Sequence, residues 1–197
     1  MIDELILASK SAIRRKILED NNIKCLVEPS NVDEEYIKKS LLKEKAPPEI
    51  ISKNLAELKA NKISQKFNNN IVLGADSVIG LEGKIISKPT SRPEALEILK
   101  KLNGKKHQLI SSVCISKNGC MIWNYTDQAN LTMKNMTDDQ LENYLKKIKD
   151  KDLYAYNVYQ IEGEGKHLFE KIEGDKNTIM GLPIKKIKKY LEVSRKK

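Results

Sequence analysis

The stretch from Val72 to Pro89, VLGADSVIGLEGKIISKP, decides how this chain folds. Two apolar, β-branched runs flank the turn Leu81-Glu82-Gly83, which is the pattern of a β-hairpin. One carboxylate, Asp76, sits inside the first run just after Gly74-Ala75, and the pair Lys88-Pro89 closes the second. A charged residue within a strand is costly if it is buried unpaired. It is tolerated as an exposed edge residue, or at a strand end or a bulge, which Gly74 permits. Alternatively, Asp76 is a metal ligand or a general base for water, Lys88 faces a phosphate, and Pro89 fixes the chain direction.

Elements of both kinds lie on either side of this hairpin. ELILAS reads as a strand and SAIRRKILEDNN as a helix, with an apolar stripe of Ile13, Ile17 and Leu18 and a cap from Ser9 or Ser11. IKCLVEPS is a second strand. Helices over Asp33–Glu44 and Glu49–Gln65 are separated by Pro47-Pro48. Downstream, SRPEALEILKKLNGK is a helix with Pro93 in its first turn and Gly104 at its end. HQLISSVCIS and CMIWNYTDQANLTM are long strands joined by KNG. Thr137 to Gln140 form a capping-box pattern, Leu168 to Ile172 read as a strand, and LPIKKIKKYLEV is the last helix. Hairpin-linked long strands among helices argue for an α/β protein with a mixed sheet, not a doubly wound parallel one. There is no repeat and no low-complexity linker, so one domain over residues 1–197 is expected.

The 197 residues suffice for a substantial core. At 40% apolar and 32% charged residues, a soluble globular protein is expected. The formal charge of +9 suits an anionic partner without choosing among nucleotide, nucleic acid and acidic membrane. No window is long and apolar enough to span a bilayer, and the N-terminus lacks signal-peptide features, so a cytoplasmic protein is expected. Cys25, Cys114 and Cys120 lack metal spacing, and the last two read as small core residues. His107 and His167 are not spaced as a metal pair, and Trp123 is expected between sheet and helix.

Two further segments can carry chemistry. In LASKSAIRR, a strand enters a helix through Ser9-Lys10-Ser11. The first helical turn has free N–H groups that suit a phosphate, and Arg14 and Arg15 can fork onto phosphate oxygens. A serine cap before a basic helix face explains the same residues, and no glycine-rich P-loop is present. In VDEEY, Glu34 or Glu35 either complements a helix dipole or supplies a second carboxylate to a divalent ion. Lys59, in LAELKANK, has nothing local to distinguish it.

Taken in order, LILASKSAIRRKIL, VDEEYIKKSL, LAELKANKI, VLGADSVIGLEGKIISKP, EALEILKKLNGKKHQLISSVCI and YNVYQIEGEGKHLFEKIEGDKNTIMGLPI resemble the Maf family of nucleoside triphosphate pyrophosphatases over nearly the whole chain. The resemblance implies a two-lobed fold, shared with inosine triphosphatases, in which helices flank an elongated mixed sheet and a central cleft. It implies a cytoplasmic, commonly dimeric enzyme that uses a divalent metal, Mg²⁺ or Mn²⁺. Such an enzyme cleaves a nucleoside triphosphate between the α- and β-phosphates to give a monophosphate and pyrophosphate. It also implies roles in removing non-standard nucleotides and, in some bacteria, in restraining septum formation.

By the same resemblance, Ser9, Arg14, Lys59 and Lys88 contact the triphosphate, Glu34 is a metal ligand, and Asp76 is both proton acceptor and metal ligand. Base specificity falls to Ile13, Ser77 and Glu162. One subgroup (thymidine and uridine triphosphates) has Arg in place of Ile13, and another (7-methylguanosine triphosphate) has Trp. Ser77 stands where these groups have Thr or Gln, and Glu162 where they have Gln or Glu, so the three positions match neither. An inosine-triphosphatase-type enzyme fits less well, because those enzymes favour an early Thr-x-Asn where this chain has LASKS. A basic regulator that senses nucleotides or binds nucleic acid without turnover is the non-enzymatic alternative. Against it, aromatic residues are only 5% and no nucleic-acid motif is present.

Overall fold

In the computed structural model, which describes residues 4–155 and 158–194, β1 (Leu5–Leu7) pairs in parallel with both β2 (Cys25–Val27) and β3 (Val72–Leu81). Between them in sequence come α1 (Ala12–Asp20), α2 (Glu34–Lys43) and α3 (Pro48–Ser64). The chain continues through β4 (Lys84–Ile86), α4 (Arg92–Leu102), β5 (Lys106–Lys117) and β6 (Cys120–Met133). It ends with α5 (Asp138–Lys147), α6 (Asp150–Ala155), a 3-10 turn (Glu164–Leu168), β7 (Phe169–Glu173), α7 (Lys176–Ile179) and α8 (Ile184–Ser194). The mixed sheet runs β2-β1-β3-β5-β6-β7, with β4 antiparallel to β3. This is the α/β, mixed-sheet architecture that the sequence pattern predicts.

The chain forms two compact units. The first comprises residues 1–77, 110–128 and 175–197, and the second residues 78–109 and 129–174, so β3, β5 and β6 each run through both. In the first unit, strand alternation sorts the side chains onto two faces. Leu5 and Leu7 of β1 and Leu73 and Ala75 of β3 pack in one cluster with Ile17 and Leu18 of α1 and Ile187 and Leu191 of α8. Ile6, Ala8 and Val72 pack instead with Ile63 of α3. Trp123 of β6 stacks on Tyr190 of α8 with centroids 4.8 Å apart, the sheet-to-helix role expected for it.

In the second unit, Arg92 at the start of α4 donates to the Leu145 and Ile148 carbonyls at the end of α5 and pairs with Asp150 of α6. It adds a donor to the Leu145 carbonyl, which also accepts the Ile148 N–H, and satisfies the Ile148 carbonyl just past the helix end. His107 of β5 is buried and shares a 2.8 Å hydrogen bond with the Tyr159 hydroxyl.

Both tight hairpins have positive φ at the two turn residues, Glu82-Gly83 and Asn118-Gly119, as a two-residue reversal between right-twisted strands requires. The capping box at Thr137 and Gln140 is present. Three short elements, α6, the 3-10 turn and α7, have too few residues to display a period and are not predicted. Cys114 is buried, and burial pushes its thiol pKa up to about 11. Cys120 departs from expectation. It opens β6 in a run of three exposed residues, so an apolar run does not mark burial there. The start of the YNVYQIEGEG motif at Tyr156-Asn157 and the last three residues of the basic tail lie outside the described residues.

Candidate active site

The Ser9–Arg14 segment leaves the carboxyl end of β1 and enters α1. Ser11 caps the helix, accepting from the Arg14 N–H at 3.3 Å. The Ser9 hydroxyl oxygen accepts from the Ser11 N–H at 3.3 Å and from Arg14 Nη1 at 3.1 Å. With both lone pairs engaged, Ser9 can offer a ligand only its O–H hydrogen. That hydrogen suits a phosphate oxygen, which only accepts. The first-turn N–H groups of Ala12 and Ile13 have no intrahelical partner and add to the same donor surface.

Arg14 is held on four sides. Nε donates to the Gly181 carbonyl at 3.0 Å, Nη1 to Ser9 and to the Ala75 carbonyl at 3.0 Å, and Nη2 to Ser77 Oγ at 3.1 Å. The register explains the Ala75 bond. The last residue pair between β1 and β3 is Leu7 with Leu73, so the Ala75 carbonyl lies beyond β1 and takes an arginine donor instead. A guanidinium has five N–H groups. Four go to protein acceptors, so Arg14 brings its charge and one Nη2 N–H to a ligand, not the two-pronged fork that composition alone suggests. Burial lowers its pKa from the ordinary arginine value, while the negative charges of Asp76 and then Glu34 raise it. An arginine with such partners stays charged.

On the opposite face of β3, Asp76 is buried and meets α3. Lys59 Nζ lies 2.7 Å from Asp76 Oδ1 and 2.9 Å from Glu34 Oε1. The Lys59 and Asp76 side chains are 8% and 7% exposed, whereas Glu34 is 38% exposed. This approach depends on Gly74. A Cβ there would collide with the Ala56 carbonyl and come within 2.7 Å of the Ala60 N, so only glycine lets α3 lie this close to β3. Ser52 Oγ also donates to the Asp76 carbonyl at 3.1 Å, fixing the strand against the helix. Asp76 Oδ2 is buried with no hydrogen-bond partner among the described residues.

The structure therefore brings Ser9, Arg14, Ser77, Glu34, Lys59 and Asp76 together within the first unit. It also separates the two glutamates at the start of α2. Glu34 reaches Lys59, while Glu35 is 70% exposed and sits 3.7 Å from Lys38. Ile13 is half-buried against the apolar cluster of α1 and α8. Lys88 lies two residues beyond β4 and, like Glu162 before the 3-10 turn, belongs to the second unit and is exposed. Asp76 meets Lys59, from a helix 17 residues away in sequence. Local sequence reasoning gave that lysine no distinction, although the small residues Ala56, Ala60 and Gly74 were the available signal of a close approach. The Gly181 carbonyl and Ser111, both tied to this site, were also missed, since a main-chain acceptor and a strand serine carry no motif.

A divalent cation prefers hard oxygen donors. Asp76 Oδ2 is such a donor without a partner, and Glu34 is held to the same lysine as Asp76. No group of three acidic, histidine or cysteine side chains suited to a metal occurs among the described residues. Two carboxylates match an ion whose remaining positions go to phosphate oxygens and water, as is usual for Mg²⁺. The residues fit the group.

The Maf-like protein family model matches residues 4–194. The chain is 77% identical to a nucleoside triphosphate pyrophosphatase of Pelagibacter ubique over 193 residues, 98% of this chain and 99% of that one. It is 42% identical over 184 residues to a 7-methyl-GTP pyrophosphatase of Bartonella quintana, covering 93% and 92% of the two chains. It is 40% identical over 187 residues to a nucleoside triphosphate pyrophosphatase of Ruegeria pomeroyi, covering 95% and 94%. With the ordered motifs, the mixed sheet and matches of this length in agreement, the chain belongs to the Maf-like protein family.

Proposed function

We propose that this protein hydrolyses a nucleoside triphosphate at the α–β phosphoanhydride, releasing a nucleoside monophosphate and pyrophosphate. The activity named for its relatives supports the reading. One observation carries it: Asp76 is a buried carboxylate with one oxygen held by Lys59 and the other without a protein partner. A base that must align water needs this arrangement, one oxygen to fix its orientation and one to accept a proton.

In this reading, a water oxygen adds to the α-phosphorus, the bridging bond to the β-phosphate breaks, and the water proton passes to Asp76 Oδ2. Lys59 holds Asp76 in place before the step. Arg14 and the Ser9 hydroxyl hold phosphate oxygens of the substrate equally before and during the step. Lys88 is assigned to the triphosphate by its Lys-Pro motif. Arg14 and Lys59 are balanced by Glu34 and Asp76, so this set is close to neutral and cannot by itself offset a triphosphate. A divalent cation, Mg²⁺ or Mn²⁺, held by Glu34 and by a lone pair of Asp76 other than the one that takes the proton, would supply that charge and lower the pKa of a bound water.

Ile13, Ser77 and Glu162 are assigned to base selection. The relatives include nucleoside triphosphate and 7-methyl-GTP pyrophosphatases. A pyrimidine and a methylated guanine, the bases of the two subgroups in the family resemblance, are the two to compare. The proposal includes removal of non-standard nucleotides in the cytoplasm, with restraint of septum formation as a further role. It also includes a homodimer, for which light scattering should give about twice the 22.5 kDa chain mass. No helix among the described residues is long and apolar enough to cross a membrane.

The test is hydrolysis in ¹⁸O-labelled water with products read by mass spectrometry. Label in the monophosphate beside unlabelled pyrophosphate is the expected result. A nucleoside diphosphate with orthophosphate, or no product from any triphosphate, would overturn the reading. In the second case, salt-dependent binding of nucleotide or DNA without turnover would support the non-enzymatic regulator.

A further inference from the structure

Ser111, Asp127 and Thr178 take no part in the chemistry above, yet Ser111 and Thr178 are completely buried. The Ser111 hydroxyl donates to the Thr178 carbonyl at 2.7 Å. A hydroxyl has a single hydrogen to donate. In the 2.8 Å contact between Ser77 Oγ and Ser111 Oγ, the donor is therefore Ser77. Ser77 in turn presents a lone pair to Arg14 Nη2. The chain of bonds runs one way, from Arg14 through Ser77 and Ser111 to the Thr178 carbonyl.

The same carbonyl also accepts the Gly181 N–H at 3.0 Å, and the Gly181 carbonyl accepts Arg14 Nε. The path thus leaves the guanidinium at Nη2 and returns to it at Nε. Thr178 Oγ1 donates to Asp127 Oδ2 at 2.7 Å and ties the turn to β6. Gly181 has φ of +92°, and a Cβ there would lie 3.0 Å from Ser77 Oγ and 3.3 Å from Arg14 Nε. The turn after α7 is shaped closely to the arginine.

We infer that Ser111 and Thr178 are positioning residues that set the plane of the Arg14 guanidinium, Ser111 through Ser77 and Thr178 through the Gly181 turn. The inference rests on the reading of Arg14 as a triphosphate contact. Arg14 has one Nη2 N–H left for a ligand, so its direction matters more than it would for a free fork. A guanidinium already fixed in the binding geometry loses little freedom when substrate arrives. Removing the Ser111 hydroxyl takes the acceptor from Ser77, whose hydrogen must then re-aim, and the Nη2 contact loosens with it. The effect falls on binding, since neither residue touches Asp76.

The test compares Ser111→Ala, Thr178→Val and Thr178→Ser for KM, kcat and the Kd of an α,β-methylene nucleoside triphosphate. Ser111→Ala and Thr178→Val should each raise KM and Kd roughly 5- to 20-fold, the range of one or two lost hydrogen bonds, with kcat changed less than about 3-fold. Thr178→Ser, which keeps the hydroxyl, should bind like wild type. In an Arg14→Lys background, Ser111→Ala should add nothing further. An undiminished effect there, or no effect of Ser111→Ala alone, overturns the inference. If Arg14→Lys binds as wild type, the reading of Arg14 fails and the inference falls with it. If Arg14→Lys does not fold, the Thr178 pair decides: equal weakening by Val and Ser overturns the inference.

Discussion

Lys59 Nζ and Asp76 Oδ1 lie 2.7 Å apart, and both side chains are almost wholly withdrawn from water. Removing one partner of such a pair leaves an uncompensated buried charge, at a cost of about 3–5 kcal/mol. Lys59→Met should therefore lower unfolding stability by that order in urea titrations. Replacing both partners, as in Lys59→Met with Asp76→Leu, should restore most of it while leaving the enzyme inactive. Stability unchanged in the single variant would mean that the pair is not buried in solution.

The close approach of α3 to β3 depends on the absence of a side chain at position 74. Gly74→Ala places a Cβ against the Ala56 carbonyl, where backbone must move because no flexible side chain can yield. The expected loss is about 3 kcal/mol, the upper end of ordinary overpacking. Thermal unfolding should show it, and activity should fall as well, because the shift carries Lys59 away from Asp76.

His107 gives the second unit a pH dependence separate from the chemistry. Burial pulls its pKa down from 6.5 to about 4. The folded state thus favours the neutral ring. Between about pH 6.5 and 4 the unfolded chain takes up a proton that the folded one does not, so stability is full above this window and falls as pH drops through it. The loss should approach about 3 kcal/mol, since each pH unit crossed within the window removes roughly 1.4 kcal/mol. Chemical denaturation of wild type and His107→Gln from pH 7 to 4 checks this, and the variant should lack that part of the slope.

Glu162 is exposed, and exchanging it should alter choice of base more than rate of cleavage. Glu162→Gln is expected to change the ratio of kcat/KM for 7-methyl-GTP over UTP by about 10-fold or more, the scale of one lost or gained hydrogen bond to a charged group. Equal changes for both substrates would remove Glu162 from base selection.

Much of this fold is legible in the sequence because its signals are local. Apolar, β-branched runs mark β3 and β5, Glu82-Gly83 and Asn118-Gly119 mark the reversals, and Thr137 with Gln140 marks a helix start. The site divides differently. Ser9 and Asp76 stand out by their position after a strand end or within a strand, and Arg14 by its place in the first turn of the helix that follows β1. Lys59 does not, because its importance comes from a contact with Asp76 made possible by a glycine on another element. The Ser77–Ser111–Thr178 chain is less visible still, since serine and threonine are ordinary strand and turn residues and the bonds connect positions 34 and 67 residues apart. Cys120 shows the opposite failure, an apolar residue in an apolar run that the strand end leaves exposed.

The most direct measurement is pyrophosphate release by wild type and Asp76→Asn, with Mg²⁺ or Mn²⁺, over UTP, dTTP, CTP, GTP, ITP and 7-methyl-GTP. Binding of a non-hydrolysable analogue would be followed in parallel. Asn keeps the shape of Asp76 and removes the base, and Glu34 still pairs with Lys59, so kcat on the best substrate should fall by roughly two or more orders of magnitude while the fold is retained. A kcat within about 3-fold of wild type would contradict the assignment of Asp76 as the group that takes the proton from water.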